Sequence, residues 1–264
     1  AWGDIRDAKL VQGCLTGCDA VIHLAAILPP ASEADPERAW DVNVRATEQL
    51  LRFGAAQAAP PLFLLASSFA VFGHRQASHR ICTVDDELHG VDHYSRQKIA
   101  CEELVRSLSA RWCILRLGSC IDEHMVHATK AMVQLGVDLA CDNRTEFVHP
   151  ADVALAFANA LTCPEAHGKV HLIGGGKDCQ VRHLDMMNVM SEAMGVPFEP
   201  GDFGKQELYA DWADTSASQA LLQFQRTTFA DLRARTFARY RWRRYLVRPF
   251  APLLKRGMRL WLRA

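Results

Sequence analysis

Short, almost wholly apolar runs alternate with longer amphipathic segments along most of this chain. Two of the runs are AVIHL at residues 20–24 and LFLLA at residues 62–66. Runs of this kind are typical of strands buried on both faces, as in a parallel sheet. Between them, from about residue 32 to residue 58, apolar side chains recur at 3- and 4-residue spacing, as on one face of a helix. The pattern predicts a β-α-β crossover.

The same alternation continues downstream and predicts one doubly wound α/β sheet followed by a smaller α/β lobe. The helices are predicted at 94–109, near 123–135, at 150–162 and from after the glycines at 174–176 to about 194. The strands are predicted at 112–116, 146–148 and 170–173. We divide the chain into three parts, residues 1–140, 141–232 and 233–264.

The charge balance hides a strong asymmetry. The 264 residues include 30 basic and 30 acidic side chains. Eleven of the basic and none of the acidic ones lie in 233–264, so the rest of the chain carries an acidic excess of 11. We find no signal-peptide pattern and no apolar run of about 18 residues, so neither secretion nor membrane spanning is indicated. Nine cysteines without a C-x-x-C pair fit a reduced, cytosolic compartment.

Tyr94-Ser95-Arg96-Gln97-Lys98 carries the most chemistry in the sequence. On a helix, Tyr94 and Lys98 lie on one face within reach of each other. A nearby ammonium favours the phenolate, so we expect Lys98 to lower the pKa of Tyr94 and allow proton exchange near neutral pH. Taken alone, Y-x-x-x-K is a weak pattern that also occurs on solvated helix faces.

The expected phosphate-binding turn is missing. A parallel nucleotide-binding sheet normally opens with a strand, a Gly-rich turn and a helix whose N-terminus holds the pyrophosphate. G-x-G-x-x-G is absent, and the glycine run at 174–176 lies too far downstream to replace it. The first residues, AWGD, suggest the exit of a third strand. We therefore expect a sheet truncated at its N-terminus, without its first β-α-β segment.

Seven segments, in the family's order, resemble the extended short-chain dehydrogenases/reductases, the NAD-dependent epimerase/dehydratase group. The resemblance implies a Rossmann-like doubly wound parallel sheet, with a partial dinucleotide-binding domain at 1–140, a substrate-binding lobe with returning Rossmann elements at 141–232 and a basic helical tail. The segments are GDIRD (3–7), VIHLAA (21–26), VNVRAT (42–47), SSFAVFG (67–73), YSRQK (94–98), LRLG (115–118) and FVHPADVA (147–154).

The resemblance also implies which residues hold the cofactor, NAD or NADP. Asp4 and Ile5 would lie at the adenine, and Asn43 would brace the site from the crossover helix, although an asparagine that bonds to backbone is the plainer interpretation. The residues implied along the ribose, pyrophosphate and nicotinamide are Leu24, Ala25, Ala26, Tyr94, Lys98, Leu117, Gly118 and Ser119. NAD and NADP are not distinguished, because the strand that reads the 2′ end is among those we expect to be absent.

By the same resemblance, Ser68, Tyr94 and Lys98 are the catalytic set. Ser68, three residues before Val71, would donate to the substrate oxygen while Tyr94 exchanges the proton and Lys98 binds the nicotinamide ribose. Ser67 is the other candidate hydroxyl. Dehydration is disfavoured because Phe69 and Ala70 stand where dehydratases carry an Asp-Glu pair.

Two functions remain open besides an NAD(P)-dependent oxidoreductase. Epimerases of the group show Asn where this chain has Ser119, which puts a nucleotide-sugar 4-epimerase in doubt without excluding it. The other is a non-catalytic dinucleotide-binding subunit. The substrate is expected to be a small molecule, with a nucleotide sugar as one candidate, and the family implies a homodimer.

His124 and His127, with Glu123 before them, are interpreted as part of a helix surface, so no metal is expected.

The tail is a separate question. Arg233 to Ala264 interleaves basic with aromatic residues, which suits an amphipathic helix on an anionic membrane surface. Pro249 and Pro252 should break it into two pieces. Docking on the acidic body of a partner or of the chain itself is the next alternative, and nucleic acid is not expected. The expected location is cytoplasmic, at the inner face of a membrane.

Overall fold

The computed structural model of the chain describes residues 2–78, 80–124 and 129–263. Within these ranges the strands are β1 Ala20–His23, β2 Leu62–Ser68, β3 Trp112–Leu117, β4 Ser119–Cys120, β5 Arg144–Val148, β6 Val170–Ile173 and β7 Gln180–Arg182. The helices are α1 Ala8–Leu15, α2 Ala31–Ala34, α3 Pro36–Trp40, α4 Ala46–Ala55, α5 His93–Leu108, α6 Lys130–Asp138, α7 Pro150–Thr162, α8 His183–Met194, α9 Ser216–Leu222, α10 Phe229–Val247 and α11 Ala251–Arg263.

Four strands form a parallel sheet in the order β1-β2-β3-β6. The central strand β2 alternates its side chains between two cores, since successive residues of a strand point to opposite faces. Phe63 and Leu65 pack with α1, α4 and α5, whereas Leu62 and Leu64 pack with α7 and α9. Helices on both faces of a parallel sheet confirm the predicted doubly wound, Rossmann-like fold.

The crossover from β1 to β2 is helical, as predicted, but it is not one helix. α2 ends at Ala34, and the side chain of the next residue, Asp35, accepts a hydrogen bond from the backbone N–H of Arg38 and caps α3. Pro36 occupies the first position of α3, where its missing N–H costs nothing. A single π-helical turn, Asp41–Arg45, then joins α3 to α4.

The second sheet has the order β4-β5-β7, with β4 parallel and β7 antiparallel to β5. Two predictions were wrong here. β7 lies within the stretch predicted as helix before residue 194, because Gln180–Arg182 pairs with the distant β5. The helix predicted near 123–135 begins at Lys130, because Thr129 caps it through the N–H of Met132; residues 125–128, including His127, lie outside the described residues.

The chain ends in α10 and α11, which are separated by a short turn at Arg248–Phe250. This confirms the predicted break at Pro249 and Pro252. In the described parts of the chain, no helix combines the length and the apolar character that crossing a bilayer would require.

Candidate active site

A cavity of about 190 Å³ opens at the carboxyl ends of β2 and β3, beside the first turn of α5. Ligands bind in open α/β sheets at this edge. Ser68, Tyr94 and the predicted nicotinamide residues line it, and the C-terminal half of the chain adds a wall. The wall residues from that half are Glu146, Leu208, Tyr209 and Ala210.

The two candidate serines at the end of β2 have different surroundings. The hydroxyl of Ser67 is buried and donates to the Glu102 carboxylate at 2.6 Å, and the same carboxylate is bound by Arg116 at 2.9 Å. Ser68 lines the cavity and accepts a hydrogen bond from the N–H of Ala70 at 3.1 Å. Only Ser68 therefore faces the space that a ligand could enter.

Tyr94 and Lys98 share one face of α5, but the predicted effect on the tyrosine was wrong. Burial raises the pKa of Tyr94 above its usual range, while the nearby Ser68 hydroxyl lowers it to a smaller extent. The Lys98 ammonium sits over the ring, 5.8 Å from its centroid, and donates to the Ala66 carbonyl at 2.8 Å. Burial also lowers the pKa of Lys98. Both groups are thus shifted toward their neutral forms.

Asn43 lies in the π-helical turn and is buried. Its amide accepts from the N–H of Ile27 at 2.7 Å and donates to the carbonyl of Ile27 at 2.9 Å and to Gln97 at 2.7 Å. The side chain therefore ties the loop after β1 to helix α5. Leu24, which is exposed, lies on the same loop. Ala25 is exposed and Ala26 partly buried.

Asp4 and Ile5 line a second cavity, of about 360 Å³, between α1 and β1. Arg6 binds the exposed Asp4 carboxylate through its side chain and backbone, and these hydrogen bonds lower the pKa of Asp4 to about 2. Leu117, Gly118 and Ser119 border the first cavity. A side chain at Gly118 would lie 2.7 Å from the Glu146 carbonyl, so only glycine allows β3 and β5 to approach this closely.

Sequence reasoning missed Glu146. Its buried carboxylate accepts from the N–H groups of Gly176 at 3.1 Å and Ala213 at 2.9 Å and from the Gln180 amide at 3.1 Å. Burial outweighs these bonds and raises its pKa to about 7. The available signal was an acidic residue at the start of the strand predicted at 146–148, because Glu is almost never fully buried without a partner.

Tyr209 and Glu33 were also missed. Tyr209 comes from a loop before α9 that carries no periodic pattern, and its phenol approaches the Asp92 carboxylate at the start of α5. Burial is the main cause that raises the pKa of this phenol. Glu33 accepts from the backbone N–H groups of His93 and Tyr94, both at 3.1 Å, and so holds the first turn of the helix that presents Tyr94.

Two histidines near the candidate site differ in burial. His23 is buried against Thr47 at 2.7 Å, and burial lowers its pKa to about 3. His93 is exposed at the start of α5. Over residues 2–78, 80–124 and 129–263, no group of three His, Cys, Asp or Glu side chains is arranged to hold a metal ion.

The parallel sheet, and the hydroxyl and ammonium groups gathered at its carboxyl edge, define a Rossmann-like α/β protein. The model of the NAD dependent epimerase/dehydratase family matches residues 1–174. The chain belongs to this family, which confirms the resemblance seen in the seven segments.

Among relatives, short-chain dehydrogenase/reductase family 42E member 1 of Danio rerio is 26% identical over 223 residues, covering 74% of this chain and 57% of that protein. The chain spans only 40% and 57% of the lengths of two curated relatives that it matches.

Two solved structures share the fold. UDP-glucose-4-epimerase from Stenotrophomonas maltophila, with NAD and formylated UDP-arabinopyranose, has a TM-score of 0.74 at 22% identity over 94% of this chain and 83% of that one. RMD from Pseudomonas aeruginosa, complexed with NADPH, has a TM-score of 0.73 at 18% identity over 91% and 87%.

Proposed function

We propose that the chain is an NAD(P)-dependent oxidoreductase or epimerase that acts on a carbinol or carbonyl carbon of a small molecule. One observation carries the proposal: Ser68 and Tyr94 converge on a cavity at the carboxyl edge of the sheet, with the Lys98 ammonium behind the tyrosine ring. Family membership and the fold shared with NAD- and NADPH-bound enzymes support it.

The residues at this edge fit a dinucleotide. Within the described parts of the chain, Lys98 donates to one acceptor, the Ala66 carbonyl, although an ammonium has three N–H groups. A ribose hydroxyl would suit the others. Gly118 borders the cavity, and Leu24, Ala25 and Ala26 are exposed or partly buried where β1 ends. When bound, the nicotinamide accepts or returns a hydride.

The chain's own residues would handle the proton and the oxygen. Because burial raises the pKa of Tyr94, its phenol keeps its proton at neutral pH and can donate to a carbonyl oxygen as reduction proceeds. Ser68 would donate to the same oxygen and stabilise the developing charge. In the oxidative direction Tyr94 would take the proton back, with Lys98 close enough to stabilise the phenolate once it forms.

The test is Tyr94→Phe, assayed with NAD⁺ and NADP⁺ and with UDP-glucose and UDP-glucuronic acid as first probes. We expect turnover to fall about 10²- to 10⁴-fold, with cofactor affinity within a few-fold of the parent chain. Tyr245→Phe, on the exposed part of α10, is the matched control and should keep full activity. Turnover retained by Tyr94→Phe would refute the role of the phenol.

A nucleotide-sugar 4-epimerase is the second candidate, favoured by the shared fold of the Stenotrophomonas maltophila epimerase. Interconversion of UDP-glucose and UDP-galactose without net change in the cofactor would select it over a dehydrogenase. The proposal further includes the three-part division at 140 and 232, a homodimer through α5 and the crossover helices, and a cytoplasmic location at the inner face of a membrane.

A further inference from the structure

The last two helices change surroundings along their length. In α10, Phe229, Leu232 and Tyr240 are buried against the body of the protein. Tyr240 donates to the Glu123 carbonyl at 3.4 Å. From Trp242 onward eight large apolar side chains are exposed instead, so packing within the described residues does not explain why these positions are apolar.

The exposed apolar residues recur at spacings of three, four or seven positions through the turn and into α11. They therefore form one stripe along successive helical turns. We call this set the tail stripe; it consists of Trp242, Tyr245, Leu246, Phe250, Leu253, Leu254, Leu260 and Trp261. Each is at least 45% exposed. A contiguous apolar surface of this kind marks an interaction site.

The charge of the same segment is of one sign. Residues 233–264 contain eleven Lys or Arg and no Asp or Glu. Among the described residues, the ion pairs of the tail with the body are Arg233 with Glu192 and Lys255 with Glu199. Arg241, Arg248 and Arg256 are exposed beside the tail stripe. The partner must therefore be anionic and apolar at once.

We infer that the tail stripe binds the surface of an anionic lipid bilayer, with α11 and the end of α10 lying in the interface plane. Lipid headgroups meet the arginines, and the acyl boundary receives the leucine and aromatic side chains. An acidic protein surface or a nucleic acid would satisfy the charges but leave the stripe in water. Lipid binding by the tail stripe does not depend on the redox chemistry. A negative vesicle test would therefore leave the proposed redox activity intact, and a negative activity test would leave the lipid binding intact.

The test is co-sedimentation of the full chain with vesicles of phosphatidylcholine alone or with about one third phosphatidylserine. We expect binding to the anionic vesicles at least tenfold tighter than to the neutral ones. Arg241→Gln/Arg248→Gln/Arg256→Gln should weaken binding to anionic vesicles about a hundredfold. Leu253→Ser/Leu260→Ser should weaken it by a similar factor, since both side chains would leave the acyl boundary.

The matched control is Arg38→Gln/Arg45→Gln/Arg52→Gln, which removes three exposed arginines from α3, the π-helical turn and α4 and should bind like the parent chain. Circular dichroism of each variant checks the fold. Equal binding to neutral and anionic vesicles, or unchanged binding of the leucine variant, would overturn the inference. Two other results would overturn it. One is a chain that does not sediment with vesicles but forms a dimer without lipid, which dissociates in the leucine variant. The other is tighter binding to duplex RNA than to anionic vesicles.

Discussion

Burial controls the protonation of the groups around the candidate active site. Burial raises the pKa values of Tyr94 and Glu146 and lowers that of Lys98, and in all three cases this favours the neutral form. For Tyr94 this sets the direction of its chemistry, since a protonated phenol donates before it can accept. The Y-x-x-x-K spacing predicted that the two side chains share a face; it could not predict that the ammonium lies over the ring, because that depends on the packing of α5 against β2.

At Glu146 the same effect predicts a pH dependence of stability. Its pKa rises from 4.5 in the unfolded chain to about 7 in the folded one. The folded state therefore binds the proton more tightly, and the stabilisation is present below about pH 4.5 and lost as the pH rises through 7. We expect the free energy of unfolding to fall by roughly 2 kcal/mol from this group between about pH 5 and about pH 8.

Glu146→Gln isolates this contribution, because the amide does not titrate. Urea unfolding at both pH values should show a smaller loss of stability with rising pH in the variant than in the parent chain. His23 acts in the opposite direction, since burial lowers its pKa, but it is present in both proteins and cancels in the difference. Identical pH dependence of the two proteins would contradict the prediction.

At the scale of elements, the Asn43 side chain ties the crossover between β1 and β2 to helix α5. Asn43→Ala would leave the N–H and carbonyl of Ile27 and the Gln97 amide without this partner inside the protein. We expect the free energy of unfolding to fall by roughly 2–4 kcal/mol, since buried polar groups without partners are costly. Glu48→Ala, which removes an exposed ion pair with Arg52 on α4, is the control and should cost at most about 0.5 kcal/mol. An equal loss in both variants would contradict the role of Asn43.

Elements with a strong local pattern could be predicted from the sequence nearly to the residue. Pro150–Thr162 and Val170–Ile173 have the predicted bounds. The π-helical turn and β7 could not, because each exists through distant partners: Asn43 through Ile27, and Gln180–Arg182 through β5. The same distinction applies to the residues of the candidate site. Ser68 and Tyr94 could be predicted because they lie in sequence motifs, whereas Tyr209 could not, because it reaches the cavity from a loop without a pattern.

At the scale of the whole molecule, the acidic excess of residues 1–232 and the basic excess of 233–264 are separated along the chain but not fully in space. α10 packs on α8 and belongs to the body through Phe229, Leu232 and Tyr240, with the Arg233 to Glu192 ion pair at its edge. The exposed large apolar side chains begin at Trp242, later than the change in composition. The boundary set by packing therefore lies inside a helix.

Two truncations locate that boundary. Ending the chain after Val247 removes α11, whose large apolar side chains are exposed and whose contacts with the body include the Lys255–Glu199 ion pair and the Lys130–Trp261 contact. The free energy of unfolding should therefore change by less than about 1 kcal/mol. Ending it after Thr228 also removes Phe229, Leu232 and Tyr240, which are 7%, 0% and 4% exposed. Burial of three such side chains contributes roughly 5 kcal/mol or more, and we expect that loss in urea unfolding. Equal stability of the two truncated forms would show that α10 does not belong to the folded body, whereas a large loss on ending after Val247 would show that α11 packs on it.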